Sequence, residues 1–221
     1  MRYWLDRLVA DQVLEASVVY GYFPCYSTGN TLVVLTADSS SDSFSEAARF
    51  TFPRQRTERR LCIADYFRPG SPSSSPDALD VIGLQLVTIG RPISEYAEKL
   101  RAAHQYRDYF EVHGLSVQLA EALAEHWHRR IRSELVLPSG SSVGSFDPDS
   151  LAGLLATDYR GCRYSFGYAA CPDLEDRAKI AALLDPSRIG VELSEEFQLD
   201  PEQSTDAMIV HHPEANYFNA K

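Results

Sequence analysis

The sequence lacks the short motifs that assign many enzymes to a class. Its 221 residues contain no Walker loop, H-E-x-x-H or G-x-G-x-x-G pattern, so metal-dependent hydrolase and nucleotide-dehydrogenase functions lose their usual support. No apolar run approaches the ~20 residues of a membrane span, and the first residues lack the apolar stretch of a signal peptide. These absences predict a cytoplasmic protein that does not contact a membrane.

Cysteine is scarce, and the copies that occur are far apart. The four cysteines are Cys25, Cys62, Cys162 and Cys171, and no two form a C-x-x-C pair. This spacing is typical of reduced thiols and not of a disulfide framework or a zinc site. His126 and His128 are two apart in a predicted helix, so their side chains point to different sides and cannot share a metal ion. No metal site is therefore predicted.

Positive charge is also in deficit. Lysine and arginine number 21 against 31 aspartates and glutamates, which gives a formal net charge of −10. Such a surface argues against nucleic acid as a partner. One local exception is the basic cluster of Arg54, Arg56, Arg59 and Arg60. This cluster has two interpretations: a solvated loop, or a docking patch for an acidic electron-transfer protein.

The order of the elements predicts an α+β fold in a single domain. Strands are predicted at 15–23 and 31–36, joined by a turn at 27–30, and further strands at 49–52, 61–66, 81–89, 189–197 and 207–211. Helices are predicted at 3–13, 96–112, 115–135, 148–157 and 174–184, with Ser94 as an N-cap. Because strands and helices are segregated, we expect a largely antiparallel sheet flanked by helices. The Ser/Gly/Pro-rich stretches 69–76 and 138–144 are interpreted as surface loops.

The segment from Arg163 to Pro172, with the sequence RYSFGYAACP, is the most informative stretch. Arg163 offers a planar fork of donors suited to a carboxylate or a phosphate. Gly167 has no Cβ, so its backbone can approach another molecule closely. The aromatic rings offer flat faces to a ligand. A ligand-binding loop and a buried aromatic turn both fit this composition.

Six strings in one order resemble the C-terminal activation domain of cobalamin-dependent methionine synthase. They are VYGYFP at 19–24, FPRQ at 52–55, LCIADY at 61–66, LAEALAE at 119–125, RYSFGYAACP at 163–172, and His212-Pro213 ahead of Tyr217-Phe218. The resemblance implies a C-shaped domain with a twisted sheet that spans residues 1–221. It also implies binding of S-adenosylmethionine and support for the reductive methylation of cob(II)alamin to methylcobalamin. The implied partners are the cobalamin-binding domain and flavodoxin or an equivalent electron donor.

The resemblance also assigns roles to individual residues. It implies that Arg163 binds the carboxylate of S-adenosylmethionine, with Glu121, Tyr217, Phe218, Gly167 and Ala170 around the same ligand. Tyr168, Gly167 and Cys171 are expected to face the cobalamin, and no side chain is expected to act as a general acid or base. Cys171 is not expected to be a nucleophile, because no histidine has a local arrangement that would activate it.

The chain departs from the family pattern at several positions. Phe218 occupies the place of a tyrosine, and Val117 occupies the place of a second helical carboxylate. An aspartate that binds the ligand's amino group in the family lies upstream of the first hairpin, so either the chain lacks the N-terminal part of the domain or a different carboxylate serves; we expect the first. The alternative is a non-catalytic interaction or scaffold module that has lost ligand binding. A free-standing methyltransferase is disfavoured by the absence of a Gly-rich loop after the first strand.

Overall fold

A six-stranded antiparallel sheet forms the centre of the fold. The structure, a computed structural model, describes residues 2–37, 43–57 and 59–220. Its strands are β1 Ser17–Thr28, β2 Thr31–Ala37, β3 Phe44–Thr51, β4 Asp80–Thr88, β5 Cys162–Tyr164, β6 Glu192–Leu193, β7 Leu199–Asp200 and β8 Ser204–Val210. The order in the large sheet is β3-β2-β1-β4-β8-β5, each neighbouring pair is antiparallel, and β6 and β7 form a separate ribbon. The predicted α+β fold class is confirmed.

Helices cover both faces of this sheet. They are α1 Arg2–Ala10, α2 Arg91–Ala102, α3 Tyr106–Glu134, α4 Leu151–Leu155 and α5 Asp176–Leu184. Successive side chains of a strand point to opposite faces. On β8, Ala207 and Ile209 therefore pack with Ile131 of α3. Met208 and Val210 point the other way, into the main core with Ile180 of α5.

The first hairpin follows the prediction closely. Gly29 and Asn30 form the turn between β1 and β2. Gly29 has a φ of +60°, in the left-handed region that glycine adopts at little steric cost. The strand β1 then pairs with β4 on its other side, from Ser17–Thr88 to Cys25–Asp80. The hairpin and β4 thus form the middle of the sheet.

The predicted boundary between the two long helices is wrong. The first helix begins at Arg91, with Pro92 in its first turn, and ends at Ala102, so Ser94 lies inside the helix and is not its N-cap. His104 follows with a φ of +59°, and this left-handed residue ends the helical path. The second helix then begins at Tyr106 and runs through Gly114 to Glu134. A glycine inside a helix costs about 1 kcal/mol, which the packing of a 29-residue helix offsets.

Two predicted strands are also wrong. Residues 61–66 contain a 3₁₀ turn, Ile63–Tyr66, in which Ile63 and Ala64 are both buried. Consecutive buried residues do not follow the alternation of a strand at the surface of a sheet. The predicted strand 189–197 reduces to β6, because Gly190 and Phe197 have positive φ values of 70° and 59°. The Ser194 hydroxyl accepts hydrogen bonds from the backbone N–H groups of residues 196 and 198, which closes a turn.

Candidate functional site

The edge strand β5 determines which way Arg163 points. Arg163 lies opposite Ile209 of β8, and residues opposite each other in an antiparallel pair point to the same face. Because Ile209 packs in the same cluster as Ile131 of α3, the Arg163 side chain also lies on the α3 side of the sheet. Its neighbour Tyr164 points into the main core on the opposite face.

Two carboxylates of α3 meet the Arg163 guanidinium. Glu121 and Glu125 are four residues apart and therefore lie on one face of the helix. Arg163 donates from Nη2 to Glu121 Oε2 at 2.7 Å and from Nε to Glu125 Oε2 at 3.2 Å. The Arg163 side chain is 21% exposed. Among the described residues, no hydrogen-bond partner is found for Arg163 Nη1, so this end of the guanidinium stays available to a ligand.

A buried polar cluster supports Glu125 from behind. His128 is completely buried, and its Nδ1 lies 3.7 Å from Glu125 Oε2, which is an electrostatic contact too long for an ordinary hydrogen bond. The His128 ring meets the Tyr159 ring edge to face at 5.2 Å between centroids. The Arg132 guanidinium lies 3.8 Å above the same Tyr159 ring. Arg132 in turn donates two hydrogen bonds to Asp147, at 2.9 and 3.0 Å.

The charge states of this cluster follow from burial and from its neighbours. Burial lowers the pKa of His128 to about 4, so this imidazole is neutral near pH 7. Burial alone would raise the pKa of Glu125, but contacts with His128, Tyr159 and Arg163 outweigh it, so its pKa lies below the ordinary value. Burial raises the pKa of Tyr159, which keeps its hydroxyl protonated. Burial would lower the pKa of Arg163, but the two glutamates raise it, and Arg163 remains a cation.

Four of the predicted site residues line one cavity of about 330 Å³. They are Glu121, Arg163, Tyr168 and Tyr217. The Tyr168 and Tyr217 side chains are exposed, at 56% and 59%, so both rings present a face to an incoming molecule. The structure thus brings together residues that are up to 96 positions apart in the sequence.

Four other predicted residues do not line this cavity. Ala170 and Cys171 are buried, and the buried Phe218 ring packs against Tyr164 at 6.2 Å between centroids. The carbonyl of Cys171 accepts a hydrogen bond from the N–H of Gly167, which closes the loop on itself. Gly167 has a φ of +92°, and a Cβ at this position would lie 2.9 Å from Leu174 Cδ2. Gly167, Ala170 and Cys171 shape the loop, Phe218 packs in the core, and direct contact of any of the four with a ligand stays a prediction.

The thiols near the site are protonated at neutral pH. Burial raises the pKa of Cys162 to about 11 and that of Cys171 to about 12. Cys171 also lies with its sulfur 2.9 Å from the carbonyl oxygen of Ser165. A thiol is a weak nucleophile until it loses its proton. The geometry therefore agrees with the expectation that Cys171 is not a nucleophile.

Sequence reasoning missed part of the cavity wall. Glu125 and Tyr159 line the cavity together with Thr157, Gly161, Cys162, Ser165, Ala215 and Asn216. The four-residue spacing of Glu121 and Glu125 was a usable signal, because it predicts a shared helix face. Tyr159 had no such signal, since its place depends on the path of the chain between α4 and β5.

Acidic neighbours neutralise part of the basic cluster. Arg54 donates two hydrogen bonds to Asp65, at 2.5 and 2.7 Å, and Arg59 pairs with Glu214 at 2.7 Å. Two of the four arginines are therefore not free to attract an acidic protein surface. This favours a solvated, internally paired loop over a strongly basic patch.

A larger cavity of about 810 Å³ shares no lining residue with the Arg163 cavity. Its wall includes the pair of His211 Nε2 and Asp80 Oδ1, 3.1 Å apart. Within residues 2–37, 43–57 and 59–220, no group of three or more histidine, cysteine or acidic side chains is placed to hold a metal ion. No helix in those ranges is long and apolar enough to cross a membrane.

Comparison with known proteins gives a consistent result. Residues 2–221 match the family described as vitamin B12 dependent methionine synthase, activation domain. Methionine synthase of Mycobacterium tuberculosis (strain ATCC 25618 / H37Rv) is 55% identical over 220 residues, and that of Mycobacterium leprae (strain TN) is 53% identical over 220 residues. Each alignment covers 99% of this chain and 18% of the relative's length, so the chain corresponds to a small part of those proteins.

A solved structure shows the same fold. The crystal structure described as the MetH reactivation domain bound to AdoHcy superposes with a TM-score of 0.84 at 27% sequence identity. The match covers 99% of this chain and 65% of that chain. With a family match across nearly all residues and a shared fold, the chain belongs to the family of activation domains of vitamin B12 dependent methionine synthase.

Proposed function

We propose that this chain binds S-adenosylmethionine in the Arg163 cavity and acts as the reactivation domain of a cobalamin-dependent methionine synthase. The observation that carries the proposal is the convergence of Arg163, Glu121, Tyr168 and Tyr217 on one cavity. The similar solved domain supports it, because that domain is described as bound to AdoHcy, the demethylated counterpart of the proposed ligand.

The residues of the cavity suit the chemical groups of this ligand. The free Nη1 donors of Arg163 suit the carboxylate, since a guanidinium binds a carboxylate through charge-assisted hydrogen bonds. Glu121, whose side chain is 40% exposed, suits the ammonium group. The exposed Tyr217 ring suits the face of the adenine. When bound, S-adenosylmethionine supplies the methyl group, and its positive sulfur makes a good leaving group without an acid or base from the protein.

The protein's contribution is then to hold the ligand in place. Tyr168 lies at the exposed rim of the cavity next to Gly167, and we assign this rim to the side that faces the cobalamin. Gly167 and Cys171 belong to the same loop on the cobalamin side, where the Cys171 thiol, only 3% exposed, lies beneath the rim. Correct placement of two reactants contributes up to ~7–11 kcal/mol to lowering a barrier.

The same proposal assigns the chain to a larger protein and to its partners. Residues 1–221 form one activation domain of a cytoplasmic methionine synthase that transfers methyl groups from folate to homocysteine through cobalamin. Its partners are the cobalamin-binding domain and flavodoxin or an equivalent electron donor. The family membership supports the first partner. Pairing of Arg54 and Arg59 with acidic side chains weakens the basic patch that the second partner would meet.

Calorimetric titration with S-adenosylmethionine tests the proposal. We expect saturable binding to the 221-residue chain and a loss of about tenfold to a hundredfold in affinity for Arg163→Ala, because one charge-assisted hydrogen bond contributes ~1.5–3 kcal/mol. Arg101→Ala is the matched control, since Arg101 is an exposed arginine that pairs with Glu98 on α2. Unchanged binding by Arg163→Ala, or an equal loss in the control, contradicts the proposed site.

A scaffold that has lost ligand binding is the second candidate, and one observation favours it. Arg163 already contacts two carboxylates, so the carboxylate of a ligand meets two like charges when it approaches. A folded chain with a cooperative thermal transition but no heat of binding at millimolar S-adenosylmethionine would support the scaffold. Thermal unfolding measured beside the titration separates this outcome from a chain that does not fold.

A further inference from the structure

The larger cavity, of about 810 Å³, lies at the end of the central sheet where β4 begins and β8 ends. Loop residues such as Phe67, Leu79 and Leu137 complete its wall. Because these segments are far apart in the sequence, the cavity exists only in the folded chain. Its volume is within the range of about 300–1,000 Å³ that is typical of sites for small organic molecules.

Apolar side chains form much of this wall. Three of them belong to the exposed large apolar residues of the protein: Tyr22, Phe44 and Val136. The wall also contains three proline rings: Pro24, Pro76 and Pro138. Proline fixes its own φ, so these parts of the wall keep their shape without a ligand. An exposed apolar surface inside a concave site favours a ligand with an apolar body.

Two arginines line the same cavity, and neither forms an ion pair with an acidic side chain in the part of the chain that the structure describes. Arg160 donates from Nε to the carbonyl oxygen of His211 at 2.9 Å, which holds the guanidinium in place. Both of its Nη groups remain available to a ligand. Arg68 is exposed and donates from Nη1 to the carbonyl oxygen of Asp77 at 3.5 Å, the limit of a hydrogen bond.

The carboxylates of this cavity are already engaged by donors of the protein. Asp65 accepts two hydrogen bonds from Arg54. Asp80 accepts two from backbone N–H groups, and its Oδ1 lies 3.1 Å from His211 Nε2. Burial lowers the pKa of His211, so this ring is mainly neutral near pH 7. The positive charge that a ligand meets here therefore belongs to the two arginines.

We propose that the larger cavity binds an organic anion with a ring-bearing apolar body, whose carboxylate or phosphate contacts Arg160 and Arg68. A guanidinium binds either head group through paired, charge-assisted hydrogen bonds. The body of the ligand packs on the exposed side chains of Tyr22, Phe44 and Val136. This site is separate from the proposed S-adenosylmethionine site, because the two cavities share no lining residue.

Three naphthalene probes with the same rings and different head groups test this site. Naphthoate has a carboxylate, naphthyl phosphate has a phosphate, and naphthamide has no charge. Binding to the isotope-labelled 221-residue chain is followed by the shifts of its backbone amide NMR signals. We expect saturable binding of both anions at about millimolar concentration, a range typical of such small ligands, with shifts at Val81 and Leu137. Naphthamide is expected to bind about tenfold more weakly, and the ratio of the two anion affinities identifies the preferred head group.

Arg160→Gln tests the contact with the head group. We expect it to weaken both anions about tenfold and naphthamide less than about twofold, because naphthamide has no charge to lose. The ratio of the naphthoate and naphthamide affinities is decisive, since damage to the fold weakens both probes alike. Arg101→Gln is the matched control, because Arg101 is an exposed arginine on α2 outside this cavity, and it is expected to leave the ratio unchanged.

Two more variants test the remaining contacts. Arg68→Gln is expected to weaken the two anions by a smaller factor than Arg160→Gln, because Arg68 is exposed and water screens its charge. Phe44→Ser removes an exposed ring at the start of β3, and it is expected to weaken all three probes by a similar factor. Thermal unfolding of each variant confirms that the fold is intact.

Several outcomes would overturn this assignment. The arginine site is refuted if naphthamide binds as well as the anions, or if Arg160→Gln leaves the affinity ratio unchanged. Loss of naphthoate binding in Arg163→Ala, with retention in Arg160→Gln, would show that the probe occupies the other cavity. Absence of saturable binding by all three probes would also refute the site. None of these results bears on S-adenosylmethionine binding, which its own titration decides.

Discussion

The buried pair of Arg132 and Asp147 is predicted to be a major contributor to stability. Arg132 is completely buried and the Asp147 side chain is only 6% exposed, so water does not screen either charge effectively. Removal of one partner from a buried pair leaves an uncompensated charge and costs about 3–5 kcal/mol, against 0–1 kcal/mol for an exposed pair. We therefore expect Asp147→Ala to lower the free energy of unfolding by about 3–5 kcal/mol.

Urea denaturation followed by circular dichroism measures this change in the free energy of unfolding. Thermal unfolding gives a second measure: for a chain of this size, 1 kcal/mol shifts the melting temperature by about 2–4 °C, so Asp147→Ala is expected to melt roughly 6–20 °C lower. Glu98→Ala is the matched control, because it breaks an exposed pair with Arg101 and is expected to cost less than about 1 kcal/mol.

A double variant tests whether the cost comes from the unpaired charge. Arg132→Met with Asp147→Leu replaces both charges by apolar groups, and buried pairs replaced in this way often lose little stability. The double variant is therefore expected to be more stable than Asp147→Ala. If Asp147→Ala costs less than about 1 kcal/mol, or if the double variant is the less stable, the reasoning from burial is refuted.

Three further predictions concern single residues. The pKa of His128 is lowered to about 4, so between pH 6.5 and 4 the unfolded chain binds a proton that the folded chain does not, and stability falls as the pH falls. His128→Gln is expected to reduce this loss of stability, as measured by urea denaturation at several pH values. Gly167→Ala is expected to cost about 1–3 kcal/mol in thermal unfolding, because φ is +92° and the new Cβ would press on Leu174; a neutral result would contradict the strain. Phe218→Ala is expected to cost about 3–5 kcal/mol in the same assay, because its ring packs on Tyr164 in the core; loss of ligand affinity at unchanged stability would instead indicate a direct contact.

The sequence predicted the parts of the fold that depend on local patterns. The hairpin at Gly29, the strand now seen as β4 and the helix α5 each have clear periodicity and turn signals, and each was confirmed. The helix break at His104 was missed, because a left-handed histidine has no sequence signal comparable to glycine or proline. The 3₁₀ turn at Ile63–Tyr66 was missed because an apolar run of this length also fits a buried strand.

The candidate site was predictable only through the family resemblance. Nothing in spacing alone places Tyr217 beside Arg163, because the two residues belong to different segments that meet only in the folded chain. The resemblance supplied that pairing, and the cavity agrees with it. The resemblance placed both Tyr217 and Phe218 at the ligand, but Phe218 is buried. Adjacent residues of an extended segment point to opposite sides, so only one of the two side chains faces the cavity.

The length of α3 restricts how the chain can vary in evolution. One helix supplies the glutamates of the cavity and, further along, the buried Arg132. Because each residue turns a helix by about 100°, a deletion of one residue between Glu125 and Arg132 would rotate one group away from its partner. Insertions and deletions among related sequences should therefore be excluded from α3 and collect in the Ser/Gly loop after it. The number of residues in α3 should therefore be constant among related sequences, while the loops at its ends vary in length.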